Sequence, residues 1–127
     1  MEFTGTHLLA DLFDCDHLDD EARIEAALRA SVAASGATLL QLHVHGFGEG
    51  QGVTGVAMLA ESHISIHSWP ERRYAAVDMF LCGRRHDLPA GLAALAEGVS
   101  AGRIEQRSFA RGFGVEDFAQ PLAANAT

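Results

Sequence analysis

The segment His63-Ile64-Ser65-Ile66-His67 alternates polar and apolar residues at every step. A period of two predicts a strand with Ile64 and Ile66 on one face and the polar residues on the other. Its neighbours extend the pattern. Residues 53–60 (VTGVAMLA) and 74–82 (YAAVDMFLC) read as flanking strands, with Pro70 in the turn between and Gly83 closing the second. Residues 37–44 (ATLLQLHV) read as another strand, joined to 53–60 by the flexible, glycine-rich loop 46–52.

Two helices interrupt the strands. Asp19-Asp20-Glu21 supplies a cap and an acidic first turn, Ile24, Ala27, Leu28 and Val32 recur at helical spacing, and Gly36 ends the run. Residues 88–101 are rich in Ala and Leu and predict a second helix, followed by a last strand over 103–111. Residues 6–15 (THLLADLFDC) have no settled period, and the helix signal directly behind them favours a strand. The tail from Pro121 is expected to fray. The order β-α-β-β-β-β-α-β predicts an α+β fold: an antiparallel sheet with both helices on one face, in two layers. No internal linker divides residues 1–127, which read as a single domain.

At 127 residues the chain has room for one core but buries only about 70% of its surface, so a core shared in a dimer would help it. No apolar run approaches the ~20 residues of a membrane span. Met1-Glu2-Phe3-Thr4 has no basic region of a signal peptide, and two distant cysteines make no disulfide framework, so the cytoplasm is the expected compartment. The net charge of -8 and the lack of clustered cations argue against nucleic acid as the partner. All nine cations are Arg. Without Lys, the chain has no Schiff-base lysine for pyridoxal phosphate, no lysine nucleophile and no Walker A loop. Carbanion chemistry in this chain needs an electrophile from elsewhere.

Chemistry-bearing residues are densest in Glu61-Ser62-His63-Ile64-Ser65-Ile66-His67-Ser68-Trp69-Pro70-Glu71. A metal site is one reading. However, four residues of strand put His63 and His67 roughly 13 Å apart, too far for one zinc. His43 and His45 can share a strand face, but no third ligand is placed. A serine hydrolase is another reading, yet Ser62 lacks the G-x-S-x-G elbow. The plainest is an ordinary strand with outward Ser and His, with Cys82 a small buried hydrophobe.

The run ESHISIHSWPE followed by YAAVDMFLCG resembles the prokaryotic, short type of S-adenosylmethionine decarboxylase proenzyme. The resemblance extends through GVTGVAMLA and GTHLLADLFDCD to Arg111-Gly112 and covers nearly all the chain before Phe113. It implies self-cleavage between Glu61 and Ser62 into a β chain, 1–61, and an α chain, 62–127. Ser62 becomes a pyruvoyl group, a self-derived cofactor that forms a Schiff base with the substrate amine and supplies the missing electrophile. His67 matches the proton acceptor in processing and Cys82 the proton donor in catalysis. Thr54 stands where the family has a Ser that assists processing, keeping the hydroxyl and adding a methyl.

The resemblance also implies substrate contacts. Phe47 is the nearest match to an aromatic residue that stacks on adenine, and Glu71 matches a carboxylate that binds the ribose hydroxyls. Trp69 either lines the pocket or packs. The expected activity is decarboxylation of S-adenosylmethionine, whose product donates aminopropyl groups in spermidine and polyamine synthesis. The expected assembly is a homodimer of cleaved protomers with active sites at the interface. Two alternatives stand beside it. One is the same chemistry on arginine or ornithine, motivated by the altered Phe47 loop. The other is an unprocessed binding paralogue, with metal held through His43, His45 or His63.

Overall fold

A computed structural model describes residues 4–116 and 119–122. The elements run β1 (Thr4–Phe13), α1 (Glu21–Ser35), β2 (Leu39–Gly46), β3 (Val53–Leu59) and β4 (His63–Trp69). A single 3-10 turn (Pro70–Arg72) follows, then β5 (Tyr74–Leu81), α2 (Leu88–Gly98) and β6 (Arg103–Gly112). The six strands form one sheet in the order β2-β3-β4-β5-β1-β6, and every neighbouring pair is antiparallel. The α+β reading and the element order are those expected from the sequence. None of the described helices is long and apolar enough to cross a membrane.

Strand parity builds the core. In β5 the residues Ala75, Val77, Met79 and Leu81 are buried, while Tyr74, Ala76, Asp78 and Phe80 between them are partly exposed. β1 divides the same way, with Leu8, Ala10 and Leu12 buried. The buried faces meet two helices. α1 contributes Ile24, Ala27, Leu28 and Val32, the four residues its spacing singled out, and α2 contributes Leu88, Leu92 and Leu95. Ser31 Oγ donates to Gly91 O at 2.8 Å and ties the helices together. Both helices therefore cover one face of the sheet, and the other face has no described element over it.

Capping sets the helix ends. The Asp20 carboxylate accepts from Arg23 N, and Gly36, at φ 79°, closes α1 by donating to Ala33 O and Val32 O. The Asp87 carboxylate caps α2 at Ala90 N. α2 ends at Gly98, three residues before its expected end. Ser100 takes φ 54°, its N–H donates to Glu97 O, and Ala101 N donates to Ala96 O. This is a Schellman-type stop with Ser in the place usually held by Gly, so the usual letter was absent. Likewise β1 ends at Phe13 because Asp14, at φ 57°, turns the chain out of the sheet. β4 runs two residues past His67 to Trp69, and Pro70 then opens the 3-10 turn. The fraying expected at Pro121 does not begin there: Pro121 bridges to Phe109 and Leu122 N donates to Ser108 O. Residues 123–127 lie outside the described residues.

The helices approach closely at Gly98, where an added Cβ would lie 2.5 Å from Ala27 Cβ and 3.0 Å from Ala27 Cα. Gly98→Ala is expected to force the helices apart and to lower stability by about 1–3 kcal/mol. Urea unfolding measures this, and an unchanged midpoint would contradict the packing described.

Candidate active site

The face away from the helices carries the polar halves of the alternating strands. It also exposes apolar side chains, Leu9, Val56 and Met58 among them. A groove of about 830 Å³ crosses it, lined by Asp11, Thr54, Val56, Ser65, His67 and Asp78 with residues of β1 and β6. The site residues singled out from the sequence gather at two ends of β4, and of them Thr54 and His67 line the groove.

One end holds His67. The register pairs Thr54 of β3 with His67 of β4, and a 2.6 Å hydrogen bond joins Thr54 Oγ1 to His67 Nδ1. Thr54 thus occupies one ring nitrogen, and Nε2 has no hydrogen-bond partner among the described residues. Aromatic rings surround the imidazole: Trp69 meets it edge-on at 4.4 Å between centroids, and Phe47 at 6.3 Å. Phe47 is 57% exposed. It is held by the turn closing β2 onto β3, where Phe47 N donates to Gly52 O and Gln51 N to Gly48 O. The loop expected to be flexible is thus a hydrogen-bonded turn. Trp69 also stacks on Tyr74, 5.2 Å between centroids. Tyr74 donates its hydroxyl to Asp11 Oδ1, a bond that with burial pushes the phenol up to about 12. Glu71 lies exposed in the 3-10 turn beyond Trp69.

The other end holds Ser62, in the turn between β3 and β4. Its Oγ lies 3.3 Å from His63 Nδ1. A cavity of about 90 Å³ opens beside it, lined by Glu61, Ser62, Phe80 and Leu81. The register pairs His63 with Phe80, which brings the Ser62 turn to the end of β5, with Cys82 one residue beyond Leu81. The Cys82 carbonyl accepts from His86 Nδ1 and from the backbone N–H groups of Arg85 and His86. The Glu61 carboxylate accepts from Thr38 N at 3.2 Å and lies 3.7 Å from His86 Nε2. The Thr38 N–H, followed by smaller contributions that include the His86 charge, holds Glu61 below the ordinary carboxylate value.

The structure therefore brings Glu61 and Ser62 to the Cys82 end, and Thr54, Phe47, Trp69 and Glu71 to the His67 end. It does not bring Ser62 to His67. Five residues of extended chain separate them, about 16 Å. Among the described residues no three His, Cys, Asp or Glu side chains converge as a metal would require. Sequence reasoning missed His7, Asp78, Tyr74 and Asp11 on the open face, and Thr38 and His86 behind Glu61. Parity would have found the first four, because each sits one residue from a buried position of β1 or β5.

Three comparisons bear on this geometry. A family model described as S-adenosylmethionine decarboxylase matches residues 6–112. A protein of Parasynechococcus marenigrum (strain WH8102) named S-adenosylmethionine decarboxylase proenzyme is 51% identical over 110 residues, 84% of each chain. One of the same name from Methanococcus aeolicus is 42% identical over 118 residues, 91% of this chain and all of its own. Among solved structures, the crystal structure of the adenosylmethionine decarboxylase from Aquifex aeolicus VF5 superposes with a TM-score of 0.77 at 33% identity. It covers 91% of this chain and 97% of that one.

The two thiols stand in different surroundings. Cys15 is 1% exposed, and burial pushes its thiol up to about 11, while Cys82 is partly exposed at the sheet end. Iodoacetamide near pH 8 is expected to label Cys82 ahead of Cys15 in the folded protein, because the thiolate is the reactive form. Peptide mapping reads the order, and Cys15 reacting first would contradict this placement.

Proposed function

The chain belongs to the S-adenosylmethionine decarboxylase family, and we propose that it cuts itself between Glu61 and Ser62 and then works as a homodimer. It is a carboxy-lyase that releases carbon dioxide from S-adenosylmethionine, and its product serves polyamine synthesis. Likeness along nearly the whole chain to proteins of that name carries this reading. We take its compartment to be the cytoplasm, in keeping with two unpaired cysteines. No observation favours arginine, ornithine or a metal as the ligand.

The cofactor of this reading is a pyruvoyl group made from Ser62, and the surroundings suit it. Ser62 lies in a turn, its hydroxyl is in reach of an imidazole, and a small cavity adjoins it. Once formed, the group supplies the carbonyl electron sink that a chain without Lys cannot provide. Cleavage itself is the work of the chain. Ser62 Oγ attacks the Glu61 carbonyl, and the amide becomes an ester. Loss of the Ser62 Cα proton then breaks the Cβ–Oγ bond and frees the β chain with Glu61 as its C-terminus. His67 is the base for that proton, with Nε2 left free by the Thr54 bond.

In turnover, Cys82 returns a proton to the substrate's α-carbon after carbon dioxide leaves. Phe47 and Trp69 offer aromatic faces to adenine and the sulfonium, and Glu71 offers a carboxylate to the ribose hydroxyls. The negative field of a chain at -8 favours a sulfonium cation.

The separation of about 16 Å between Ser62 and His67 supports the dimer. Two copies stacked open face to open face about a two-fold axis set the His67 end of one over the Ser62 end of the other. Each site then takes Ser62 and Cys82 from one protomer and Thr54, His67, Phe47 and Glu71 from its partner. The same stacking covers Leu9, Val56 and Met58.

Two outcomes follow. Ser62→Ala is expected to stay uncut and release no carbon dioxide from S-adenosylmethionine. Cys82→Ala is expected to cut normally and turn over about 100-fold more slowly, as for loss of a general acid. A cut, active Ser62→Ala would sink the cofactor assignment, and wild-type turnover by Cys82→Ala would remove the thiol from its role. Co-expression tests the shared site. Ser62→Ala and His67→Ala should each stay uncut alone. In the mixed dimer the His67→Ala chain should be cut, because its Ser62 meets a partner's intact His67. No cleavage in the mixture would mean that the two residues act within one chain.

A further inference from the structure

We propose that His63 is the base that starts self-cleavage, and that Asp78 holds it in the tautomer this step needs. The proposal rests on reading Glu61–Ser62 as the cut. Donors and acceptors across the sheet set the tautomers. Arginine only donates, so the 3.0 Å contact between Arg111 Nη1 and His7 Nδ1 makes that ring nitrogen an acceptor. His7 then carries its proton on Nε2, which bonds Asp78 Oδ1. The second oxygen of Asp78, Oδ2, lies 3.5 Å from His63 Nε2. A carboxylate oxygen at that distance favours the His63 tautomer with its proton on Nε2. Its Nδ1 is left with a lone pair, and that atom is the one 3.3 Å from Ser62 Oγ.

The contacts converge on Asp78 of β5 from both sides, from Arg111 on β6 through His7 on β1, and from Ser62 through His63 on β4. The logic is that of a hydroxyl nucleophile, an imidazole base and an orienting carboxylate, with the two ring nitrogens exchanged relative to the usual triad. The Phe80 ring, paired opposite His63 and 6.3 Å from it, lies edge-on to the imidazole.

The step balances within the chain. Ser62 Oγ bonds to the Glu61 carbonyl carbon as its proton passes to His63 Nδ1. The bond from that carbon to Ser62 N breaks, and the nitrogen takes the proton from His63. An ester and a free amine result, and His63 returns to its starting form. In the proposed dimer a partner's His67 reaches this site with its Nδ1 engaged by Thr54, and the later step falls to it. His63 acts on Oγ before the ester exists, and His67 acts on the Cα proton after it.

Hydroxylamine separates these steps, because it cuts an ester and spares an amide. Freshly made wild type, His63→Ala, His63→Asn, Asp78→Asn and His67→Ala are followed by denaturing mass spectrometry with and without hydroxylamine. The wild type cuts itself. His67→Ala stops as the ester, and hydroxylamine cuts it. His63→Ala cuts at least about 100-fold more slowly and gains nothing from hydroxylamine, the scale of a lost general base. His63→Asn behaves the same way: its amide still reaches Ser62 Oγ but takes no proton, so a merely positional role would be preserved in it. Asp78→Asn, which keeps the shape of the carboxylate, slows cutting by about 10-fold with no accumulated ester, less than the ~100-fold expected for loss of the base itself. Cutting of His63→Asn at the wild-type rate would overturn the proposal. So would hydroxylamine cutting His63→Ala as fast as it cuts His67→Ala. An uncut wild type would instead overturn the reading of the cleavage site.

Discussion

The seven residues of β4 hold apart the two groups that the chemistry has to unite. Ser62 precedes the strand and His67 sits near its far end, and an extended backbone does not shorten. The rest of the site arranges itself around that fixed length. Thr54, Phe47 and Trp69 are drawn to His67 by the β3–β4 and β2–β3 pairings, while Cys82 and Glu61 are drawn to Ser62 by the β4–β5 pairing. A single sheet thus carries two half-sites on one face. In the proposed dimer a second copy completes both at once, its two-fold axis set so that opposite ends meet.

The same constraint accounts for the fold's lopsided layers. Both helices lie on one side, where Leu, Ile and Val of alternate strand positions close the core. The opposite positions are mixed, with Leu9, Val56 and Met58 among His, Asp and Thr. A solvated face would have little use for the first group and a closed core none for the second. A face that is covered by its own copy, as proposed, and also houses a polar substrate needs both. For 127 residues this is a way to enlarge a small core without lengthening the chain.

Much of this was legible from local physics. The alternation at 63–67, the cap at Asp20 and the stop at Gly36 set the start of β4 and both ends of α1 where they were expected. β1 and α2 were misjudged at their ends where the backbone used an unusual letter: Asp14 and Ser100 take positive φ, a conformation that sequence patterns assign first to Gly or Asn. The roles proposed for Ser62, His67 and Cys82 rest on resemblance, since each alone is an ordinary residue on a strand or turn. The contacts among His7, Asp78 and His63 were not legible at all. They join residues 71 and 15 positions apart, and only the order of strands, with β1 inserted beside β5, makes them neighbours.

The absence of Lys gives these placements their weight, because on the proposed reading the electrophile is made from the chain's own backbone. The denaturing mass spectrum of freshly purified protein tests that claim most directly. The account predicts two chains divided between Glu61 and Ser62, the second lighter by one ammonia than a serine-terminated fragment and closed to amine reagents. One intact chain, or a second fragment that begins with an ordinary serine, would contradict it.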